Sequence, residues 1–381
     1  MVFIKLVQRS IFKVNQLTQT TFSDLRRSAN LSISDAAEFL RVPEEDVVAI
    51  ENGAKTPEVS VIMALKGLSL VSDTSFDTSS KAIDGEIKFI DLFAGIGGFH
   101  LAFHSLGGEC VFASEINRYA RETYIHNHKK TSPKLFETGN FAGDINSVEP
   151  SDIPDFDVLC GGFPCQPFSQ AGYKRGFNET KEDRGNLFFR IVEIIKAKKP
   201  TAFFLENVRH IKNHDEGRTF KIVQEVLEAE GYSFLYKMVK ASDHGLPQHR
   251  PRIFMVGFKG ETTEESTFKF PEPEPLKMTM SDIFGKPCNK PVGYTLRVGG
   301  RGSGLMDRRN WDTYAVDGDV VRLSSVEGKK MMGLPKDFEF PVSETQAMKQ
   351  LGNSVAVPAV RATAKNMIKY LISLKSEKKN Q

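Results

Sequence analysis

From Lys88 onward, short apolar runs alternate with longer helical stretches. "KFIDLFA", "GECVFAS", "FDVLCGGF", "TAFFLENV" and "RIFMVGF" read as strands, and "NLFFRIVEIIKAKK" and "FKIVQEVLEAEG" read as helices. Alternation of this kind predicts an α/β fold with a doubly wound, mostly parallel sheet. Sheets of that kind bind ligands beyond the carboxyl ends of their strands. The rhythm breaks over residues 260–320, which carry "PEPEP", many glycines and clustered arginines. A stretch of that length without periodicity predicts a small inserted domain or a long functional loop. Helical texture returns in "SSVEGKKMMGL" and "ATAKNMIKYLISLK", and the final "KSEKKNQ" is expected to fray.

A chain of 381 residues is expected to hold two or three domains. Residues 21–67 are dense in short helical patterns, with Ser34 and Pro43 as helix starts and Gly53 as a stop. Ala36, Ala37, Leu40, Val47, Val48 and Ile50 fit the buried faces of those helices. Residues 72–86 are polar and rich in Ser and Asp, as in a linker. The expected organisation is a helical domain at 1–70, a linker at 71–87, a catalytic part at 88–259, the insert at 260–320 and a return to the catalytic part at 321–381. Lys and Arg number 51 against 48 Asp and Glu, a net charge of +3, so net charge does not announce a nucleic-acid partner. No apolar run is long enough to span a bilayer, and "MVFIKLVQRS" lacks the core and cleavage site of a signal peptide. Cys110, Cys160, Cys165 and Cys288 are scattered, with no CxxC pair or His/Cys cluster to suggest zinc. They point to no metal, no disulfide framework and the reducing cytoplasm.

Two places carry candidate chemistry. In "FIDLFAGIGGFHLAF" a strand, a glycine turn and a helix start follow in order, and Gly95, Gly97 and Gly98 let backbone approach a ligand closely. The pattern is G-x-G-G rather than G-x-G-x-x-G, and a plain structural turn is the other reading. Glu115 closes the next strand-like run about 20 residues on, where a carboxylate accepts from ribose hydroxyls in nucleotide sites. Asp144, in "AGDIN", is placed to accept from an adenine amino group. Either carboxylate alone would read as a solvated loop residue. With the glycines they indicate an adenosine-bearing ligand, and no P-loop lysine supports triphosphate chemistry. The second place is "GGFPCQPFSQAG". Cys165 follows a strand-like run between Pro164 and Pro167, which restrict the turn and would present the thiol in a fixed direction. That is the setting of a nucleophile. Cys160, inside the apolar run, reads as a packing residue.

Taken in order, "DLFAGIGGF", "GGFPCQPFS", "RGNLFF", "ENV", "QHRPRIFMVGF" and "GNSVAVP" resemble the motifs of the bacterial DNA (cytosine-5)-methyltransferases over about Lys88 to Tyr370. The resemblance implies a Rossmann-like methyltransferase fold with S-adenosyl-L-methionine as cofactor and double-stranded DNA as substrate. Cofactor contacts are implied at Phe93, Gly95, Ile96, Gly97, Gly98, Glu115, Ile116, Asp144, Ile145, Pro164, Leu187, Asn353, Ser354 and Val355. Cys165 would add to carbon 6 of cytosine, and Glu206 of "ENV" would protonate or hydrogen-bond ring nitrogen 3. Arg252 would contact the base carbonyl and steady Glu206, while Arg250 would steady the nucleophile loop. Arg250 and Arg252 stand two apart, on one face if extended. For Glu206 the alternative is a strand-end carboxylate capping a turn, and for the arginines surface salt bridging. The target base must leave the duplex, and Lys174, Arg175 and Arg184 in the polar loop 166–186 would meet phosphates. Arg297, Arg301, Arg308 and Arg309 make 291–314 the sequence-reading segment, similar to those acting on G·C-rich palindromes of the CCGG or CCNGG kind.

The helices of residues 21–67, with their "ENG" ending, resemble the Cro/repressor-type helix-turn-helix family. That implies a DNA-binding module acting on the chain's own promoter; a helical interaction or capping domain is the alternative. Glu44, Glu45 and Asp46 open the presumed recognition helix, where carboxylates repel phosphate, although one can accept from a cytosine amine. A restriction endonuclease acting on the same site is the implied functional partner. The expected state is a monomer for methylation, with a dimer open for the regulatory role. Two rival readings are a cytosine-5 RNA methyltransferase and a repressor whose catalytic half only binds.

Overall fold

The computed structural model describes residues 22–27, 31–58, 61–62, 87–164 and 187–379. Its contacts divide the chain into two units, Met1–Asp77 and Thr78–Gln381. The expected linker, save Ile87, and the loop 166–186 lie outside the described residues.

In the first unit, helices Ile33–Leu40 and Glu44–Glu51 pack around Phe22, Ala36, Ala37, Val47 and Ile50, with Leu40 half-buried against them. The first helix starts one residue before Ser34. Ser32 is its cap, accepting from Asp35 N at 3.1 Å while Asp35 accepts from Ser32 N at 2.9 Å. This reciprocal pair satisfies two free amide donors, which Ser34 does not do. Arg41 turns the chain in the left-handed region (φ 54°) and Pro43 caps the second helix, as its sequence position predicts. Gly53 (φ 75°) follows that helix at the expected stop. Val48 was expected inside but is exposed, because the buried stripe runs through Val47 and Ile50. Arg26 closes the unit with a 2.6 Å ion pair to Glu51.

The second unit carries β1 (Lys88–Leu92), β2 (Glu109–Ser114), β3 (Phe141–Ala142), β4 (Val158–Gly162), β5 (Ala202–Val208), β6 (Leu235–Val239) and β7 (Arg252–Phe258). The sheet order is β3-β2-β1-β4-β5-β7-β6. All neighbours pair in parallel except β7, which is antiparallel to both β5 and β6. The expected mostly parallel sheet is therefore present. From β1 the chain runs outward through β2 and β3, then crosses to β4 and β5 on the other side. Strand order reverses between β1 and β4, and a crevice opens at their carboxyl ends. Those ends are the glycine turn after Leu92 and the "GGFPC" turn after β4.

Helices cover both faces. Leu187–Lys198 buries Phe188, Ile191, Val192, Ile194 and Ile195, and Arg218–Ala229 buries Phe220, Val223, Val226 and Leu227. These three-and-four spacings make one apolar stripe per helix, packed against Phe203, Leu205, Ile253 and Met255 of the sheet. On the opposite face Phe204 meets Phe99 and Phe254 edge-on, with ring centroids 5.0 and 5.1 Å apart. The terminal helix Val357–Lys379 packs on helix Gly98–His104.

Residues 260–320 contain a short helix, Met280–Phe284, and most of a hairpin made of β8 (Thr313–Val316) and β9 (Asp319–Arg322). The hairpin runs past the expected edge at 320, because its turn is Asp317-Gly318, both at positive φ (52° and 86°). Asp-Gly is the favoured pair for such two-residue turns.

Gly257 of β7 leaves no room for a side chain. A Cβ there would lie 2.1 Å from the Ser233 carbonyl oxygen and 2.3 Å from the Phe203 ring. Gly257→Ala is expected to destabilise the catalytic unit by about 1–3 kcal/mol. Urea melts of the two proteins check this, and an unchanged midpoint would show that the sheet yields at no cost.

Candidate active site

A cleft of about 720 Å³ opens at the carboxyl ends of β1, β2, β4 and β5. Its walls include Phe93, Gly95, Ile96, Glu115, Ile116, Asp144, Ile145, Pro164, Leu187, Glu206, Arg252 and Asn353. Residues spread over 260 positions of sequence thus meet around one space, as a switch-point crevice requires.

The glycine turn forms the inner wall. Gly95 (φ 56°) and Gly97 (φ 87°) take backbone angles that a side chain disfavours. A Cβ at Gly97 would lie 2.2 Å from His128 Nε2, and one at Gly98 would lie 2.4 Å from Val355 Cγ2. Gly97, Gly98, Ser354 and Val355 therefore form the back of the turn and do not appear among the lining residues. Glu115 holds the front. Its carboxylate accepts from Gly95 N at 2.8 Å and from Asn117 N at 2.7 Å. Asp144 caps a turn of 3₁₀ helix, accepting from Asn146 N at 3.0 Å.

The cleft fits an adenosine-bearing ligand on three observations. Ile116 exposes 72% of its surface at the wall, an apolar face for a planar base. Two carboxylates supply acceptors for hydroxyl and amino groups. The Ser114 hydroxyl on the same wall is buried without a partner among the described residues.

Glu206 and Arg252 form the other end. Glu206 is buried at the end of β5, and its Oε1 receives Arg252 Nε at 2.9 Å. The backbone pairs Gly162 of β4 with Glu206 of β5, and Gly162 leaves its carboxylate room: a Cβ there would lie 3.3 Å from Oε2. Burial pushes the Glu206 carboxyl above its ordinary range, while the positive charges of Arg252 and Arg250 pull it down. Asn207 donates to the Phe163 carbonyl at 2.8 Å and pins the exit of β4 just ahead of Cys165. Cys165 itself, with Lys174, Arg175 and Arg184, lies outside the described residues.

Arg250 does not follow the extended geometry that was expected to put it on the same face as Arg252. It lies before β7 with φ 28° and is 1% exposed. Its guanidinium donates to the carbonyls of Leu296 (3.2 Å), Gly352 (2.9 Å) and Ser354. In the insert, Arg297 and Arg308 are exposed. Arg309 pairs with Asp307 at 3.0 Å. Arg301 is also exposed, while its guanidinium donates to the Leu323 carbonyl at 2.6 Å and lies 3.7 Å from Asp312 and 3.6 Å from Glu344.

Sequence reasoning missed the support beneath the glycine turn. His128 Nε2–H donates to the Ile96 carbonyl at 3.1 Å. Its ring stacks on His100 at 4.2 Å, and His100 is fixed by the Tyr124 hydroxyl (2.6 Å) and Ser132 Oγ (2.9 Å). A histidine in a polar "HNHKK" string carries no signal that it will be buried. The cleft also gains Gln346, Lys349 and Gln350 from helix Glu344–Asn353.

Among solved structures, this chain is similar to a DNMT2 variant of Spodoptera frugiperda, with a TM-score of 0.56 and 20% identity over 74% of this chain and 100% of that one. It is also similar to Dnmt2 of S. pombe, at 0.53 and 20%, over 78% and 100% of the two chains. The likeness is one of fold: a Rossmann-like, mostly parallel sheet with helices on both faces. Residues 87–299 and 302–369 match the family described as C-5 cytosine-specific DNA methylase. Type II methyltransferase M.SsoII of Shigella sonnei is 40% identical over 326 residues, 76% of this chain and 82% of that protein. M.NlaX of Neisseria lactamica is 40% identical over 325 residues, covering 77% and 99%. M1.ScrFI of Lactococcus lactis subsp. cremoris is 36% identical over 376 residues, covering 89% and 91%. The chain belongs to the C-5 cytosine-specific DNA methylase family. It is a DNA cytosine-5 methyltransferase that uses S-adenosyl-L-methionine. No helix among the described residues is long and apolar enough to cross a membrane.

Burial holds the His128 pKa down at about 4, against an ordinary 6.5. The unfolded chain therefore binds a proton that the native site refuses. The stability this group contributes is complete above about pH 6.5 and is lost as pH falls towards 4. His128→Asn, which cannot titrate, is expected to flatten the unfolding free energy of the catalytic unit over that window in urea melts. An identical slope would mean that His128 is protonated in the folded protein.

Proposed function

We propose that the enzyme methylates one cytosine within a short, specific duplex site, with Cys165 as nucleophile and Glu206 as the acid at ring nitrogen 3. The observation that carries this is the buried Glu206–Arg252 pair, held on β5 beside the strand that leads into Cys165. Carbon 5 of cytosine is too electron-poor to take a methyl group unaided. Addition of the Cys165 thiolate to carbon 6 forms a carbon–sulfur bond and moves an electron pair towards carbon 5. Charge would collect at nitrogen 3, and a carboxylic acid there relieves it. Glu206 suits that task because burial favours its protonated form, while Arg252 occupies Oε1 and leaves Oε2 for the base. S-adenosyl-L-methionine, when bound, supplies an electrophilic methyl on a sulfonium sulfur; Glu115, Asp144, Ile116 and Asn353 are the residues we assign to hold it. Loss of the carbon-5 proton then expels Cys165. The target atoms lie inside a duplex, so the base is flipped out. The loop 166–186, with Lys174, Arg175 and Arg184, is assigned to the DNA backbone.

The insert is assigned to sequence reading through Arg297, Arg301, Arg308 and Arg309, at a G·C-rich palindrome of the CCGG or CCNGG kind. The Type II relatives support a partner restriction endonuclease acting on the same site. The N-terminal unit is assigned to regulation of its own operon. Two helices joined by a tight turn support this reading.

Glu206→Gln is expected to slow single-turnover methylation by roughly 10²-fold or more. In the parent enzyme, a duplex with 5-fluorocytosine at the target should become attached to Cys165, because fluorine cannot leave as a cation. Mapping the adduct by peptide mass spectrometry to Cys110, Cys160 or Cys288 would refute the assignment.

Removal of residues 1–77 should leave cofactor binding and methylation intact and abolish gel shifts on DNA upstream of the gene. Equal shifts by both proteins would end the regulatory reading.

A further inference from the structure

The insert exposes most of the stretch between Arg297 and Arg309 and then buries four residues in a row. Asn310, Trp311, Asp312 and Thr313 are 6%, 2%, 0% and 3% exposed. Each turns a polar group onto the backbone of the stretch before it. Trp311 Nε1–H donates to the Gly299 carbonyl at 3.0 Å, and Asp312 Oδ2 accepts from Gly302 N at 3.2 Å. Thr313 Oγ1 donates to the Ser303 carbonyl at 3.0 Å, and Asn310 Nδ2 to the Leu305 carbonyl at 3.2 Å. The stretch so held includes Gly299, Gly300, Gly302 and Gly304, with φ of 77° at Gly300 and 99° at Gly302. A segment this rich in glycine has much conformational entropy to lose, and nothing in its own sequence selects one shape. Its outer side shows Arg297, Val298 and Arg308 to solvent, and Met306 at 93% exposure.

We propose that Asn310, Trp311, Asp312 and Thr313 are positioning residues that set the shape of the DNA-reading stretch before the duplex arrives. Choice of site then depends on buried hydrogen bonds that touch no base. The inference rests on the reading of the insert as the recognition segment. The physical requirement is general: a side chain that reads a base edge by paired hydrogen bonds must be placed to within a fraction of an ångström, which a loose glycine loop cannot do. Because each bond ends on a different residue of one stretch, losing one loosens the reader. Arg301 fits the same arrangement, since its guanidinium lies against the buried Asp312.

The test uses the full chain. Its methylated sequence is first found by bisulfite sequencing of plasmid from a host without other cytosine methylation. Methylation rates are then measured on that duplex and on duplexes changed at one base pair. Thr313→Val removes the hydroxyl and keeps volume; Trp311→Phe removes the indole N–H with a smaller ring; Thr313→Ser keeps the hydroxyl. We expect the first two to cut the ratio of cognate to changed-site rate about tenfold, with the KM for S-adenosyl-L-methionine and the cognate rate little altered. Thr313→Ser should keep the parental ratio. Equal loss of rate on every duplex, or an unchanged ratio, in both Thr313→Val and Trp311→Phe would overturn the proposal. Arg297→Ala and Arg308→Ala in the same assay separate the two ideas. A ratio unchanged in all four variants removes the insert as reader and this inference with it. A ratio altered by the arginine variants alone leaves the reader in place and removes only its buried support.

Discussion

One buried guanidinium holds three distant parts of the catalytic unit together. Arg250, ahead of β7, reaches the carbonyl of Leu296 in the insert and those of Gly352 and Ser354 at the end of helix Glu344–Asn353. Carbonyls at a helix carboxyl end carry partial negative charge and lack partners in their own helix, so a cation there answers both needs. Placement of the 352–355 turn follows. Asn353 reaches the cleft, and Val355 closes against Gly98 behind the glycine turn. Gly352 in turn receives the Arg297 backbone, within 2.5 Å of where a Cβ would stand. Truncating Arg250 would leave three buried acceptors short of a donor, a far larger fault than losing a surface charge.

The catalytic fold was legible because its signals are local and repeated. Apolar runs broken by helical stretches announce a parallel sheet, and glycines at strand ends mark where backbone must approach a ligand. The turn residues and the carboxylates Glu115 and Asp144 stood out for the same reason, since each stands just past a strand, and Glu206 lies two residues inside the end of β5. What could not be read depends on partners far away in sequence. Arg250 and Arg252 look alike in "HRPR", yet a positive φ at Arg250 sends one inward and leaves the other beside Glu206. The contacts of Arg301 with Asp312 and the Leu323 carbonyl could not be read either, since both partners lie ten or more residues further along the chain. His128 supports the glycine turn across 32 residues of chain without any pattern to show it. The one-residue error at the first helix start is of another kind. Ser32 and Ser34 both precede candidate turns, and only the Asp three residues after Ser32 decides between them.

Glu206 and Glu115 show how environment divides work between like groups. Glu115 accepts from two backbone N–H groups. Glu206 sits in a buried pocket against Gly162, where loss of hydration favours its proton even with Arg252 alongside. The two carboxylates thus differ in partners and burial: one meets backbone amides at the cleft wall, the other a guanidinium in a buried pocket.

The turn at residues 352–355 also sets a timetable. Synthesis delivers helices Ile33–Leu40 and Glu44–Glu51 first, and their core is made of residues close in sequence. The glycine turn and β4 follow early, but their pocket stays open on one side until the segment carrying Asn353 and Val355 leaves the ribosome. A nascent chain can therefore hold a finished N-terminal unit while its catalytic half is still unable to grip a cofactor. A product that stops short of Asn353 lacks one wall of the cleft and the residue that backs Gly98.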